Sequence, residues 1–107
     1  MPLEEKDLRW WILNIADKAY PREVSERTVS LTLAEVRYPV GPGELATHLA
    51  YLEEKGYVER SVVKSRELGE ERALVRLTAK GKDLLEGNIP ADPGIDTSGK
   101  LGSSRGR

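Results

Sequence analysis

The sequence predicts an α+β fold that is mainly helical, with three N-terminal helices, a two-stranded β ribbon and a C-terminal helix. Three observations carry the prediction. Leu8, Trp11, Ile12, Ile15 and Ala19 recur at the three- and four-residue spacings of one helix face. The run from Glu44 to Arg60, ELATHLAYLEEKGYVER, reads as an amphipathic helix stopped by Gly56 and passing at once into a strand. After a polar hairpin, VRLTAKGKDLL, Val75 to Leu85, reads as a strand, a capping Thr and a helix.

The first helix spans about Leu3 to Tyr20 and is ended by Pro21, which cannot continue the hydrogen-bond ladder. Trp10 and Leu13 widen its apolar surface beyond one stripe, the width needed to pack on its own domain and also to meet a second copy. A single well-covered core helix is the other reading of the same surface. Ser25 opens the second helix, which runs to about Val36 and groups Val29, Leu33 and Val36 on one side. Thr28 and Thr32 lower its intrinsic propensity, so tertiary packing must support it.

RYPVGPG, Arg37 to Gly43, then terminates the helix and turns the chain. Pro42 suits the first turn of the third helix, where its missing N–H costs little. That helix runs from about Gly43 to Lys55 with Leu45, Leu49 and Leu52 on one face, and Glu44, Thr47, His48 and Tyr51 largely elsewhere. Lys55 suits its carbonyl end, and Gly56 can take the left-handed conformation that stops it.

Val58 to Ser65 and Arg72 to Thr78 are the two strands, joined through a polar stretch from Arg66 to Glu71. Val62 and Val63 are adjacent, as are Ala73, Leu74 and Val75, a break in alternation that implies a bulge or partial cover on both faces. Thr78 caps a final helix whose Leu84 and Leu85 return to the core, although Gly81 weakens it. Residues 1–87 form one domain on this reading. The remainder, 88–107, is rich in Gly, Pro, Ser and Asp and is expected to form a mobile tail.

Composition narrows the function classes. A chain of 107 residues supplies one small domain with a single shared core. The absence of Cys excludes disulfides, cysteine-based zinc sites and thiol chemistry. No apolar stretch approaches the ~18 residues of a membrane span, and MPLEEKD lacks the basic and then apolar character of a secretory signal, so a soluble cytoplasmic protein is expected. With one His and none of the phosphate-loop, dinucleotide or HExxH motifs, neither an enzyme nor a cofactor or metal site is expected. The net charge of -1 hides a local asymmetry: Arg60 to Lys82 holds seven basic and three acidic residues, whereas Met1 to Glu35 holds five basic and seven acidic. Positive charge is concentrated where the ribbon lies.

Leu45 to Leu85 resembles the winged helix-turn-helix domain of small bacterial regulators of the PadR, MarR and ArsR kind. The likeness rests on Leu52-Glu53-Glu54-Lys55-Gly56-Tyr57-Val58 and on Leu77-Thr78-Ala79-Lys80-Gly81. It implies that Val29 to Glu35 lies in a supporting helix, that Gly43 to Lys55 is the recognition helix and that Arg66 to Glu71 tips the wing. RYPVGPG departs from the pattern, being longer and richer in Pro and Gly than the usual tight connection.

In that arrangement a helix enters the major groove of double-stranded DNA while the basic wing meets the adjacent backbone. Thr47, His48 and Tyr51 are then the candidates for base or sugar contacts, and Arg37, Arg60, Lys64, Arg66 and Arg72 for phosphates. Trp10, Trp11 and Leu13 are the dimerisation candidates, pairing two recognition helices in a homodimer. Each group has a plainer reading: His48 as a surface residue, the Trp pair as core packing and the ribbon as a solvated charged hairpin. The third helix carries Glu44, Glu53 and Glu54 and has no Arg, Asn or Gln for bidentate base contacts, which predicts modest direct readout. Two functions remain: a homodimeric DNA-binding transcription regulator, and a winged-helix module that contacts another protein.

Overall fold

The computed structural model describes residues 3–97. Along the chain lie α1 (Leu3–Ala19), β1 (Glu23–Ser25), α2 (Glu26–Glu35), α3 (Pro42–Glu54), β2 (Val58–Ser65), β3 (Glu70–Leu77) and α4 (Ala79–Glu86). The expected elements are all present, within two residues at each end. β1 is additional. Its three residues pair antiparallel with β3, Val24 opposite Val75, so the sheet has three strands in the order β1-β3-β2. A three-residue strand is too short to show any periodicity, and only the partner strand reveals it.

Local chemistry sets the helix ends. Ser25 caps α2 by accepting from the Thr28 N–H at 3.0 Å, and Thr78 caps α4 by accepting from the Gly81 N–H at 3.0 Å. Pro42 opens α3 as its first helical residue. At the end of α2, Arg37 takes a left-handed φ of 73°, and the Tyr38 N–H returns to the Leu33 carbonyl at 2.8 Å. The Tyr38 hydroxyl then donates to Asp7 Oδ2 at 2.6 Å, tying the long turn to α1. That bond, with burial, pushes the Tyr38 phenol up to about 12.

Ile12 and Leu13 of α1, Val29 and Leu33 of α2, Leu49 and Leu52 of α3, Val58, Val75 and Leu77 of the sheet and Leu84 of α4 are fully enclosed together. Burial of that kind is worth roughly 1.5–3 kcal/mol per large side chain, so the packing of several elements around α1 outweighs the weak propensity of any one of them. Leu13 is therefore core and is not available to a second copy, which corrects its assignment as a dimerisation residue.

The β2–β3 register runs without interruption from Val58 opposite Leu77 to Ser65 opposite Glu70, so there is no bulge. Val62 and Val63 break the alternation for another reason. Only the base of the ribbon, with Val58, Val75 and Leu77, meets the core; the outer half projects into solvent and both valines are at least half exposed.

The segment after α4 also departs from expectation over residues 88–97. Asp92, Ile95 and Thr97 are buried, and the Asp96 N–H donates to the Lys6 carbonyl of α1 at 3.1 Å. Composition suggested too little apolar surface to order this stretch, but one isoleucine and one carboxylate find ready-made partners on the domain. Residues 98–107 of the expected tail lie outside the described residues.

Candidate nucleic-acid interface

α3 divides cleanly. Leu45, His48, Leu49 and Leu52 are buried, whereas Gly43, Thr47, Ala50 and Glu54 form an exposed strip flanked by Ala46 and Glu53. Thr47 keeps its place on the outward side, with its hydroxyl donating to the Gly43 carbonyl at 3.0 Å. The strip is small-featured and acidic at its C-terminal end. It offers methyl groups and a hydroxyl but no long donor for a base edge.

His48 and Tyr51 point the other way. His48 is 4% exposed, and its Nδ1 accepts from Arg9 Nε of α1 at 3.0 Å. Burial, and then the Arg9 charge, hold its pKa below the ordinary imidazole value, which keeps the ring neutral and the acceptor open. Tyr51 is half-buried beneath the Arg9 guanidinium, whose carbon lies 3.8 Å from the ring centroid. Its hydroxyl donates to Asp92 Oδ1 at 2.6 Å, and burial followed by that bond raises its pKa to about 12. Both residues serve the back of the helix, which corrects their assignment as base or sugar contacts.

Asp92 gathers this region. Besides Tyr51 it accepts from the Tyr57 hydroxyl at 2.8 Å through Oδ2 and from the Gly94 N–H at 2.7 Å through Oδ1, and Lys55 Nζ lies 3.8 Å from Oδ2. Burial alone would push this carboxyl up. The hydrogen bonds from Tyr51, Gly94 and Tyr57, with the Lys55 charge, outweigh burial and hold it below the usual range. Sequence reasoning missed Arg9, although a charge on the apolar side of α1 is a signal that could have found it, since burial obliges it to find partners. Asp92 gave no signal, because nothing in a Pro- and Gly-rich stretch distinguishes a docked carboxylate from a solvated one.

The phosphate candidates do not share a face. Arg60 and Lys64 lie on the face of β2 that carries Val58, and both are paired: Arg60 Nε to Glu53 at 3.1 Å and Lys64 Nζ to Glu71 at 3.3 Å. Arg72 stands opposite Val63 on the other face, where Arg76 pairs with Glu59. Arg66 is exposed in the tip, residues 66–69, which Gly69 closes at φ 67°. Arg66 and Arg72 carry no ion pair among the described residues. Arg27, at the start of α2, joins Arg72 along an open groove of about 440 Å³ that also has Glu70 and Glu71 on its wall. Arg37 is exposed beside Glu4, Glu5 and Glu44, in a groove that no wing residue lines.

Trp10 and Trp11 are half-buried against the core and meet edge to face with centroids 5.1 Å apart. Among the described residues no cluster of three or more His, Asp or Glu could hold a metal ion, and no helix is long and apolar enough to cross a membrane.

Four helices, with α2 and α3 joined through the turn at residues 36–41, and a β ribbon that follows α3 define a winged helix-turn-helix. Solved structures that share this fold include regulators of the PadR kind. A PadR-like transcription factor from Bacteroides fragilis matches with a TM-score of 0.56 at 22% identity, over 71% of this chain and 73% of that one. A PadR family transcription regulator from Clostridium difficile matches with a TM-score of 0.59 at 19% identity, over 74% and 82%. Bacillus subtilis PadR in complex with operator DNA matches with a TM-score of 0.58 at 17% identity, over 92% of this chain and 56% of that one. This chain thus spans little more than half the length of that regulator. No protein-family model matches the sequence, and no curated protein does. At these identities the likeness establishes the winged-helix fold.

Proposed function

We propose that this chain is a DNA-binding transcription regulator, not an enzyme, acting in the cytoplasm as a homodimer without a cofactor. α3 enters the major groove with Gly43, Ala46, Thr47 and Ala50 foremost, and the wing lies on the backbone. The observation that carries the reading is the outward strip of α3 standing beside a projecting ribbon whose Arg66 and Arg72 have no ion pair among the described residues. The shared fold of a PadR protein solved with operator DNA supports it. Small side chains let the helix backbone approach the groove floor closely, so shape and thymine-methyl contact contribute more than bidentate hydrogen bonds. Trp10 and Trp11 are the remaining candidates for the surface that pairs two copies.

Glu44, Glu53 and Glu54 on the same helix favour a second reading, a module that contacts a basic protein surface. Binding to short duplex DNA of mixed sequence, followed across a salt series, separates the two. The first reading expects binding at low salt that weakens as salt rises, with the slope reduced by about one for each of Arg66→Ala and Arg72→Ala. Absence of binding at low salt overturns it, and unchanged binding by both variants overturns the wing as phosphate clamp.

A further inference from the structure

We propose that Asp92 is a positioning residue for α3, fixing the angle between that helix and the wing; this rests on the reading of α3 as the DNA-facing helix. The two elements meet at a short joint. α3 ends at Glu54, Lys55 caps it, Gly56 turns with φ 87°, and β2 starts at Val58. Tyr51 lies before the turn and Tyr57 after it, and both hydroxyls donate to the one carboxylate, Tyr51 to Oδ1 and Tyr57 to Oδ2. Asp92 therefore bridges the joint from outside, as a brace across a hinge.

The brace is itself held. Asp92 is 6% exposed, its own loop closes on it through the Gly94 N–H, and the Gly94 carbonyl accepts from Arg9 Nη1 of α1 at 3.4 Å. Arg9 in turn stacks on Tyr51 and donates to His48, so the same helix face is gripped from α1 and from the 88–97 segment. Apolar packing under Leu45, Leu49 and Leu52 holds α3 on the core but is non-directional. Charge-assisted hydrogen bonds are directional and short, and these two lie on opposite sides of the glycine that could otherwise swivel. The exposed strip of α3 and the wing diverge from this joint, so a change of angle here moves both contact surfaces relative to one duplex. A supporting residue of this kind acts without touching the ligand.

The test uses the full chain with Asp92→Asn, Tyr51→Phe and Tyr57→Phe, reading amide hydrogen exchange residue by residue and duplex-DNA affinity in parallel. Loss of one charge-assisted bond should raise exchange across residues 51–57 by about tenfold or more while Val29, Leu33 and Val75 keep their protection. Asp92→Asn should also weaken DNA binding, and Tyr51→Phe should add less in the Asp92→Asn background than in the wild type. Exchange that rises equally through the whole domain, or not at all, overturns the proposal. So does a localised rise in a variant that binds DNA as tightly as a DNA-binding wild type. If Asp92→Asn does not fold, Tyr57→Phe, which leaves the carboxylate with Tyr51 and Gly94, makes the same localised comparison. Exchange needs no DNA: a wild type that binds no duplex fells the DNA reading, and the brace is then judged on exchange alone.

Discussion

The Thr78 hydroxyl donates to the Gly56 carbonyl at 2.6 Å. The two signatures in the sequence, the turn after α3 and the start of α4, are thus one junction in space. The Thr78 N–H reaches the Tyr57 carbonyl at 2.9 Å, and the same hydroxyl accepts from the Gly81 N–H. α4 is fastened directly to the end of α3.

Gly81 is part of that junction. A Cβ there would collide with the Tyr57 carbonyl oxygen and lie 2.6 Å from Leu77 Cδ1. Because the first obstacle is backbone, it cannot yield, and Gly81→Ala is expected to cost about 1–3 kcal/mol despite the helix propensity that alanine adds. Thr78→Ala, which loses the cap and the Gly56 bond, is expected to cost about 1–2 kcal/mol. Gly43→Ala, with nothing within 4 Å of the added Cβ, should be neutral or stabilising. Urea unfolding of the three variants checks the order, and a Gly81→Ala midpoint at or above wild type would sink the account.

The Arg9–His48 bond predicts sensitivity to mild acid. His48 accepts through Nδ1, so a second ring proton removes the acceptor and sets an imidazolium against the Arg9 guanidinium, with only Glu5 and Glu44 in partial compensation. The folded pKa is depressed below the unfolded value of about 6.5, so the contribution is complete above that pH and is lost as pH falls toward the folded pKa. Wild type should lose stability between about pH 7 and 5, where most carboxylates have not yet titrated. His48→Gln keeps an acceptor without the titration and should lose less. Equal losses in denaturant midpoint would refute this.

Glu53 masks Arg60 at the root of the wing. The pair is partly exposed and worth about 0–1 kcal/mol to stability, so Glu53→Gln should leave folding nearly unchanged. Its effect on DNA should be larger: one cation is freed and one anion removed beside the groove. Fluorescence anisotropy with duplex DNA should give several-fold tighter binding at low salt and a slope steeper by about one. A decrease in affinity would mean that the Glu53–Arg60 pair, not the free arginine, is what the interface needs.

The chain's own patterns determined the order and type of the main elements. Leucine spacing marked α3, Gly56 its end and Thr78 the start of α4, and adjacent valines flanked by charge marked the ribbon, all through interactions within a few residues. The outward place of Thr47 followed from the same spacing. What tertiary structure decided was the face each polar residue serves. His48, three residues from Leu45 and four from Leu52, and Tyr51 flank the leucine stripe, where spacing does not decide whether a polar side chain turns in or out; they turn inward because Arg9 and Asp92, 39 and 41 residues away, wait there to bond them. Likewise a basic count could not separate Arg66 and Arg72 from Arg60 and Lys64, since pairing with Glu53 and Glu71 depends on strand register. Periodicity reports how much apolar surface an element must bury. Hydrogen-bond partners distant in sequence report which polar groups go with it, and those exist only once the chain has folded.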